Sequence, residues 1–331
     1  VCLVGSEMCI RDRHFVGRKY AIAVPNGTIA IYLSLLAAGL TEGKRVAVPN
    51  ITMIATINAI LWAGAEPVII DLNERLCMSL KSLQTVDKLD GVIYVPLNGR
   101  TEDGLAIEEY CKERNITLIE DSAHALGSQY QDRMCGSLGS MSVFSFTPHK
   151  IITMGQGGLV LTDDDSLYEY LLDLKTFNRS KDKSDWHDGF GLNFKITDLQ
   201  SALGLSQFEK INEFINIKKE MFQFFERSIK KYNFIDFFEY ETPWFVDLIC
   251  ESEKERDSAK AFLGDANILT RESYPALSKQ SFLQNVEKTN LEVSENISEN
   301  ILWLPSSTNL TKDQMQEVVD KVTTFCATKE F

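Results

Sequence analysis

Histidine is scarce in this chain, with four among 331 residues, and no two of them form an HxH or HxxxH pair. That argues against a histidine-based metal centre. The seven cysteines, at positions 2, 9, 77, 111, 135, 250 and 326, contain no CxxC and no other metal-ligand spacing. An odd, scattered set of this kind reads as free thiols in a reducing compartment, so we expect a cytoplasmic protein. No apolar run approaches the ~18 residues of a membrane span, and no membrane partner is expected. Basic residues are outnumbered, 34 against 47, which gives a formal charge of −13. Nucleic-acid phosphates need basic surface, so that class of partner is not expected. An anionic substrate must then be held by local cations or helix N-termini, not drawn in by the overall field. The first strand–helix turn carries no GxGxxG, and a dinucleotide reading finds no support.

What is present is ordinary for a globular chain: 44% hydrophobic and 24% charged residues. At roughly 150 residues per domain the length suggests about two domains. The first 13 residues, VCLVGSEMCIRDR, are too short and wrongly flanked for a signal peptide. They look like a translated adapter tail, so we expect a non-native segment at 1–13 and set it aside from the fold. The native N-terminal segment is then expected to be missing.

Strand-like and helical runs alternate from residue 20 onward. Strands are expected at 20–24, 45–48, 67–70, 91–95, 116–119, 142–146 and 158–162, with helices at 29–40, 52–62, near 79, and at 104–111. Short β-branched strands separated by helices predict a mostly parallel seven-stranded α/β sheet with helices on both faces. A long helical stretch follows from Thr197 toward Lys231, opened by a Thr197/Gln200 capping box. The texture then changes: strands at 234–240, 244–249 and 302–305, and helices at 252–262 and 311–326, the last opened by a Thr311/Gln314 box. We therefore expect a large domain over 14–230, including the long connecting helix, and a small α+β domain over 231–331.

The stretch 116–158 carries the chemistry. One strand ends in Glu120 and Asp121. Another leads through Thr147, Pro148 and His149 to Lys150, and a glycine cluster follows at 155, 157 and 158. In open α/β sheets ligands bind beyond the carboxyl ends of the strands, so both side chains are expected on one edge. An amine for an aldehyde and an acid for a ring nitrogen suit pyridoxal phosphate (PLP). On spacing alone the plainer reading, a surface lysine and a strand-end aspartate, is favoured. The turn Asn26-Gly27-Thr28, between a strand and a helix N-terminus, offers free N–H groups to a phosphate, or is simply a turn with its N-cap.

Three blocks change the balance. IEDSAHALGS, FSFTPHKIITMGQGG and GLNFKITDLQSALG resemble, in order, the signature blocks of the DegT/StrS family. These are fold type I PLP-dependent aminotransferases that act mostly on nucleotide-activated keto sugars. The resemblance runs from about Phe15 to the C-terminus. It implies that Lys150 is the lysine that binds the cofactor as a Schiff base and later moves the proton, and that Asp121 pairs with the ring nitrogen. It implies phosphate contacts for Gly27, Thr28 and Ser145, and a place near the ring hydroxyl for His124, which is equally read as a packed histidine. Asn193 aligns with an asparagine that reaches the neighbouring subunit's phosphate, so a homodimer with a shared site is implied.

Two positions depart from the family's pattern. Met53 stands where an aromatic residue stacks on the ring, and Gln156 replaces a more usual Glu. Arg271, in TRESYPAL, resembles a segment of nucleotide-sugar members that meets the diphosphate. Trp186 and His187 match a pair that lines the sugar pocket. The function implied is transfer of an amino group from glutamate to a nucleotide-activated keto sugar. Two alternatives stay open: a PLP- or PMP-dependent sugar dehydratase, whose relatives carry histidine in place of the lysine, and a non-catalytic PLP-binding regulator.

Overall fold

A computed structural model describes residues 3–328. In chain order the elements are α1 (Leu3–Val16), β1 (Tyr20–Val24), α2 (Gly27–Ala37), β2 (Arg45–Pro49), α3 (Ala55–Trp62), β3 (Glu66–Ile70), α4 (Leu80–Leu83), β4 (Gly91–Tyr94), α5 (Gly104–Glu113) and β5 (Thr117–Asp121). A small hairpin, β6 (Gln129–Tyr130) and β7 (Arg133–Met134), precedes β8 (Met141–Ser145), β9 (Gly158–Thr162) and α6 (Asp165–Lys175). Then come α7 (Asp198–Phe208), α8 (Ile211–Ser228), β10 (Asn233–Phe234), β11 (Val246–Ile249), α9 (Glu253–Asp265) and β12 (Arg271–Glu272). The chain closes with β13 (Glu287–Lys288), α10 (Glu292–Ile297), β14 (Ile301–Leu304) and α11 (Lys312–Thr328).

The large sheet runs β1-β9-β8-β5-β4-β2-β3-β13. Only β9 breaks the parallel run, pairing antiparallel with both β1 and β8. Successive side chains of a strand point to opposite faces, and the core divides accordingly. Val46, Ile69, Ile93 and Ile119 pack on one face with Ile57 of α3 and Leu171 of α6. Ala47, Val68, Val92 and Leu118 pack on the other with Leu83 of α4 and Ile107 of α5. Both faces are covered, so these strands carry apolar residues without polar alternation.

All seven expected strands of the sheet are present. The eighth, Glu287–Lys288, comes from the C-terminal segment and pairs parallel with β3. Two charged residues give no apolar pattern to read; Glu287 is anchored by Arg45 at 2.5 Å. The expected single helix from Thr197 is two. Its Thr197/Gln200 box forms, but the chain leaves the helix at Lys210 (φ −103°, ψ 7°), and α8 turns to bury Met221, Phe222 and Phe225 in a second core. That core lies against the antiparallel sheet β10-β11-β14-β12, with α9 and α11 contributing Leu263, Val318 and Val322.

The expected strand at 234–240 shrinks to Asn233–Phe234. Beyond it the backbone carbonyls of Ile235 and Asp236 accept from Arg100. The rings of Phe237 and Phe238 lie over the guanidinium groups of Arg100 and Arg75, at 4.0 and 3.6 Å. Ring–cation packing takes these residues out of any ladder. At the N-terminus, α1 packs on α7, and Met8 is buried against Gly204. No described helix is long and apolar enough to cross a membrane.

A buried carboxylate, Asp247, helps to join the two sheets. Asp247 of β11 accepts from Arg100 Nη2 at 2.5 Å, Asn98 Nδ2 at 2.7 Å and Trp303 Nε1 at 2.5 Å. Arg100 is fully buried and Asp247 nearly so. Removing one partner of such a pair strands a charge, so Arg100→Met is expected to cost about 3–5 kcal/mol of stability. Urea denaturation followed by circular dichroism reads this; a loss under about 1 kcal/mol, the scale of an exposed pair, would refute it.

Candidate functional site

Strands of one direction end on one edge of the sheet, and there the chain leaves a cavity of about 310 Å³. It is lined by residues from four regions that only the fold brings together: Asn26 to Thr28, Met53 to Thr56, Asp121 to His124, and Ser145 to Lys150. The small-sheet side adds Trp244, Arg271 and Tyr274.

At one end stands the N-terminus of α2. Asn26 caps it, accepting from the Ile29 N–H at 3.0 Å. The first-turn N–H groups of Gly27 and Thr28 have no acceptor within the helix, and the helix dipole adds partial positive charge. Gly27 must be glycine here: a Cβ would stand 2.9 Å from the Cβ of Ser145. Thus Ser145, at the end of β8, closes against the turn and leaves a cradle of anion size.

Asp121 ends β5 and is buried. Its Oδ2 accepts from Thr56 Oγ1 at 2.8 Å and its Oδ1 from the Ala123 N–H at 3.2 Å. Burial raises its pKa above the ordinary carboxylate value, against those hydrogen bonds and the Lys150 charge. Across the cavity, the Lys150 amine lies over the Trp244 ring at 3.9 Å. Removal from water pushes its pKa down to about 7, with Asp121 opposing and Arg271 adding to the fall. The ring of His124 sits 4.4 Å from that of Trp244 and 5.7 Å from that of Tyr274. Its Nδ1 is buried without a hydrogen-bond partner. Burial, and then the charges of Lys150 and Arg271, hold His124 well below its ordinary pKa, so it is neutral.

Of the residues singled out in the sequence, Gly27, Thr28, Met53, Asp121, His124, Ser145, Lys150 and Arg271 all line the cavity. Met53 stands at its rim, 45% exposed. Asn193, Trp186 and His187 do not line it. Asn193 is exposed and bridges to Thr176, while the His187 ring meets the Phe177 carbonyl at 2.8 Å. Trp186 is 54% exposed. Sequence reasoning missed Thr56, Trp244 and Tyr274. Trp244 donates its indole N–H to the carbonyl of His149 at 2.8 Å, across 95 positions of chain, and no local pattern announces that. Tyr274 was within reach, since it lies in the same TRESYP segment as Arg271.

A phosphate, a pyridine nitrogen and an aldehyde are the three handles of PLP, and the cavity offers a complementary group to each. The orphaned His124 nitrogen adds a polar atom that lacks only a ligand. The fold and the cavity define a PLP-dependent enzyme of fold type I. The chain belongs to the DegT/DnrJ/EryC1/StrS aminotransferase family, whose model matches residues 11–323. It is 33% identical to GDP-perosamine synthase of Escherichia coli O157:H7 over 94% of this chain and 87% of that one. It is 28% identical to UDP-2-acetamido-2-deoxy-3-oxo-D-glucuronate aminotransferase of Pseudomonas aeruginosa, covering 92% and 86%. Among solved structures, the aminotransferase TlmJ of Streptoalloteichus hindustanus superimposes with a TM-score of 0.93 at 24% identity, over 99% of this chain and 92% of that one.

The lowered pKa of Lys150 has a kinetic consequence. The neutral amine is the nucleophile. A free lysine would gain it only toward pH 10.4, whereas Lys150 gains it near 7. Stopped-flow absorbance of apoenzyme mixed with PLP is expected to show a capture rate that rises from pH 6 to 8 and then levels. A rate still climbing through pH 9 would mean an ordinary lysine.

Proposed function

We propose that this aminotransferase moves an amino group from glutamate to the keto group of a nucleotide-activated sugar. The observation that carries the reading is the pairing of Lys150 and Asp121 in one cavity, taken with the whole-length similarity to nucleotide-sugar aminotransferases. When bound, PLP supplies a carbonyl that accepts amines and a ring that draws electron density from the adjoining carbon.

The chain's own residues have distinct tasks. Lys150 would hold the cofactor through its amine and, once free, would be placed to carry a proton to and from the substrate carbon. A pKa near 7 suits both halves of that task at neutral pH. Asp121, fixed by Thr56 and Ala123, would pair with the ring nitrogen and favour its protonated form. Gly27, Thr28 and Ser145 receive the phosphate. His124, neutral and with a free nitrogen, meets the ring hydroxyl. Met53, at the rim of the cavity, would offer its thioether to a ring face, a contact worth roughly 0.3–1.5 kcal/mol.

Asn193, exposed and away from its own cavity, is available to a second copy, which supports a homodimer with shared sites. Trp186 and His187 stand on the same loop, so any part they take in holding the sugar is across that interface. Lys150 at the position where dehydratase relatives carry histidine favours amine transfer over loss of water. Production of amino sugars for surface polysaccharides in the cytoplasm is the setting this chemistry suits.

The test is optical. Wild type loaded with PLP is expected to show a visible band that borohydride removes, and Lys150→Ala is expected to lack it. Glutamate should bleach the wild-type band. A wild type without a reducible band ends the aminotransferase reading, and a band indifferent to glutamate leaves a non-catalytic binder.

A further inference from the structure

A second cavity, of about 620 Å³, lies beside the first, and Lys150, His149, Trp244 and Arg271 line both. Lys150 is only half-buried as a residue, yet its amine is withdrawn from water, and that withdrawal is the largest cause of its lowered pKa. Something must therefore cover the amine on the side of the second cavity. Trp244, 4% exposed, stands there, with the Lys150 amine 3.9 Å from its ring centroid. A ring face also attracts an ammonium, which alone would raise the pKa by roughly one unit. The fall from an ordinary lysine's ~10.4 to about 7 is larger, so exclusion of water outweighs the attraction. Of the other groups around the amine, Asp121 opposes the fall and Arg271 adds to it. His124 is neutral, burial keeps the Tyr274 hydroxyl protonated, and His149 meets the indole through its carbonyl.

The Trp244 ring is fixed at three points. Its indole N–H donates to the His149 carbonyl at 2.8 Å, and its backbone N–H to Asn98 Oδ1 at 3.1 Å. Its carbonyl accepts from the Lys218 ammonium at 2.5 Å. The same ammonium donates to the carbonyl of Ser306, beyond β14. Lys218 is 6% exposed, and among the described residues no charged group offsets its burial. A buried ammonium without a carboxylate is costly. Two buried carbonyls converging on one point need a donor with several hydrogens between them, and without one both are left unmet. Asn98 also serves Asp247, so Lys218 is the point of attachment that can be altered without loosening the two sheets.

We propose that Trp244 and Lys218 are positioning residues for Lys150: the Trp244 ring is the partition that keeps solvent in the second cavity away from the amine, and Lys218 locks that partition in place. The proposal rests on the reading of Lys150 as the amine that holds the cofactor, and it goes beyond it by naming what keeps that amine reactive at neutral pH. No sequence pattern marks either residue.

The experiment is competitive acetylation of the full-length apoenzyme from pH 5 to 10, with the Lys150 peptide quantified by mass spectrometry against that of the exposed Lys312. Wild-type Lys150 is expected to reach half its limiting reactivity near pH 7. Trp244→Ala, which opens the partition, is expected to raise that midpoint by about one pH unit or more as water returns to the amine. Lys218→Met is expected to raise it by about half a unit, and Lys218→Arg, whose guanidinium still has donors for both carbonyls, to restore it. Trp244→Phe keeps a ring but loses the indole N–H. Its midpoint is expected to stay near that of wild type, while PLP capture at pH 8 slows about tenfold through misplacement of the amine. A merely structural role for both residues would lower the melting temperature and leave every midpoint alone. That result overturns the proposal, as does Lys218→Arg behaving like Lys218→Met. Should Trp244→Ala fail to fold, Trp244→Phe and the two Lys218 variants decide. The labelling uses neither cofactor nor sugar, so the two readings fail separately. A wild type without a reducible band removes the reaction and leaves the midpoints; unmoved midpoints with an intact response to glutamate remove only the partition.

Discussion

The Asp247 carboxylate is where the two halves of this molecule are tied. It lies in the small sheet, yet the guanidinium of Arg100 and the amide of Asn98 reach it from the loop after β4. A buried carboxylate tolerates its surroundings only when its oxygens are met by donors, and here three donors converge on it. The third is the indole of Trp303, whose ring walls the second cavity. The same interaction that docks the small sheet thus orients one wall of that cavity. Moving the small sheet would carry Trp244, Arg271 and Tyr274 with it, and the walls of both cavities would be lost.

Within that frame, the site is a set of desolvated polar groups arranged so that no protein group fully satisfies them. Lys150 has an aromatic face and, among the described residues, no carboxylate at ion-pair distance, His124 has an orphaned nitrogen, and the α2 N-terminus has open N–H groups. Each is costly in an empty protein and favourable once a complementary ligand arrives. Asp121 differs because Thr56 and Ala123 hold it in place, leaving it oriented before any ring nitrogen is present. Preorganisation is concentrated at the acid, whereas the lysine amine is held only by an aromatic face.

Trp244 links these parts. Its indole N–H fixes the carbonyl of the residue before Lys150, its ring lies under the amine, and its own carbonyl is held by Lys218. Trp244 therefore links the connecting helix α8 to Lys150. The acceptors in this coupling are backbone carbonyls, which any residue supplies, so half of each contact leaves no trace in residue types.

The large sheet was legible because it depends on local periodicity: short β-branched runs between amphipathic helices can bury both faces only as a covered parallel sheet. Residues 27, 28, 121, 145 and 150, which line one cavity, stand at strand ends, and strands of one direction end on one edge; it was the resemblance of the surrounding blocks, not that spacing, that singled them out. The apolar 234–240 run was misread because Arg75 and Arg100, distant in sequence, captured its rings and carbonyls. The edge strand 287–288 was invisible because two charged residues carry no pattern. The amino-acid order alone thus determined the layered sheet and the edge where chemistry collects. Tertiary packing alone decided which distant partners close the cavities, because desolvation and hydrogen-bond geometry at Trp244, Lys218 and Asp247 exist only once the two sheets have met.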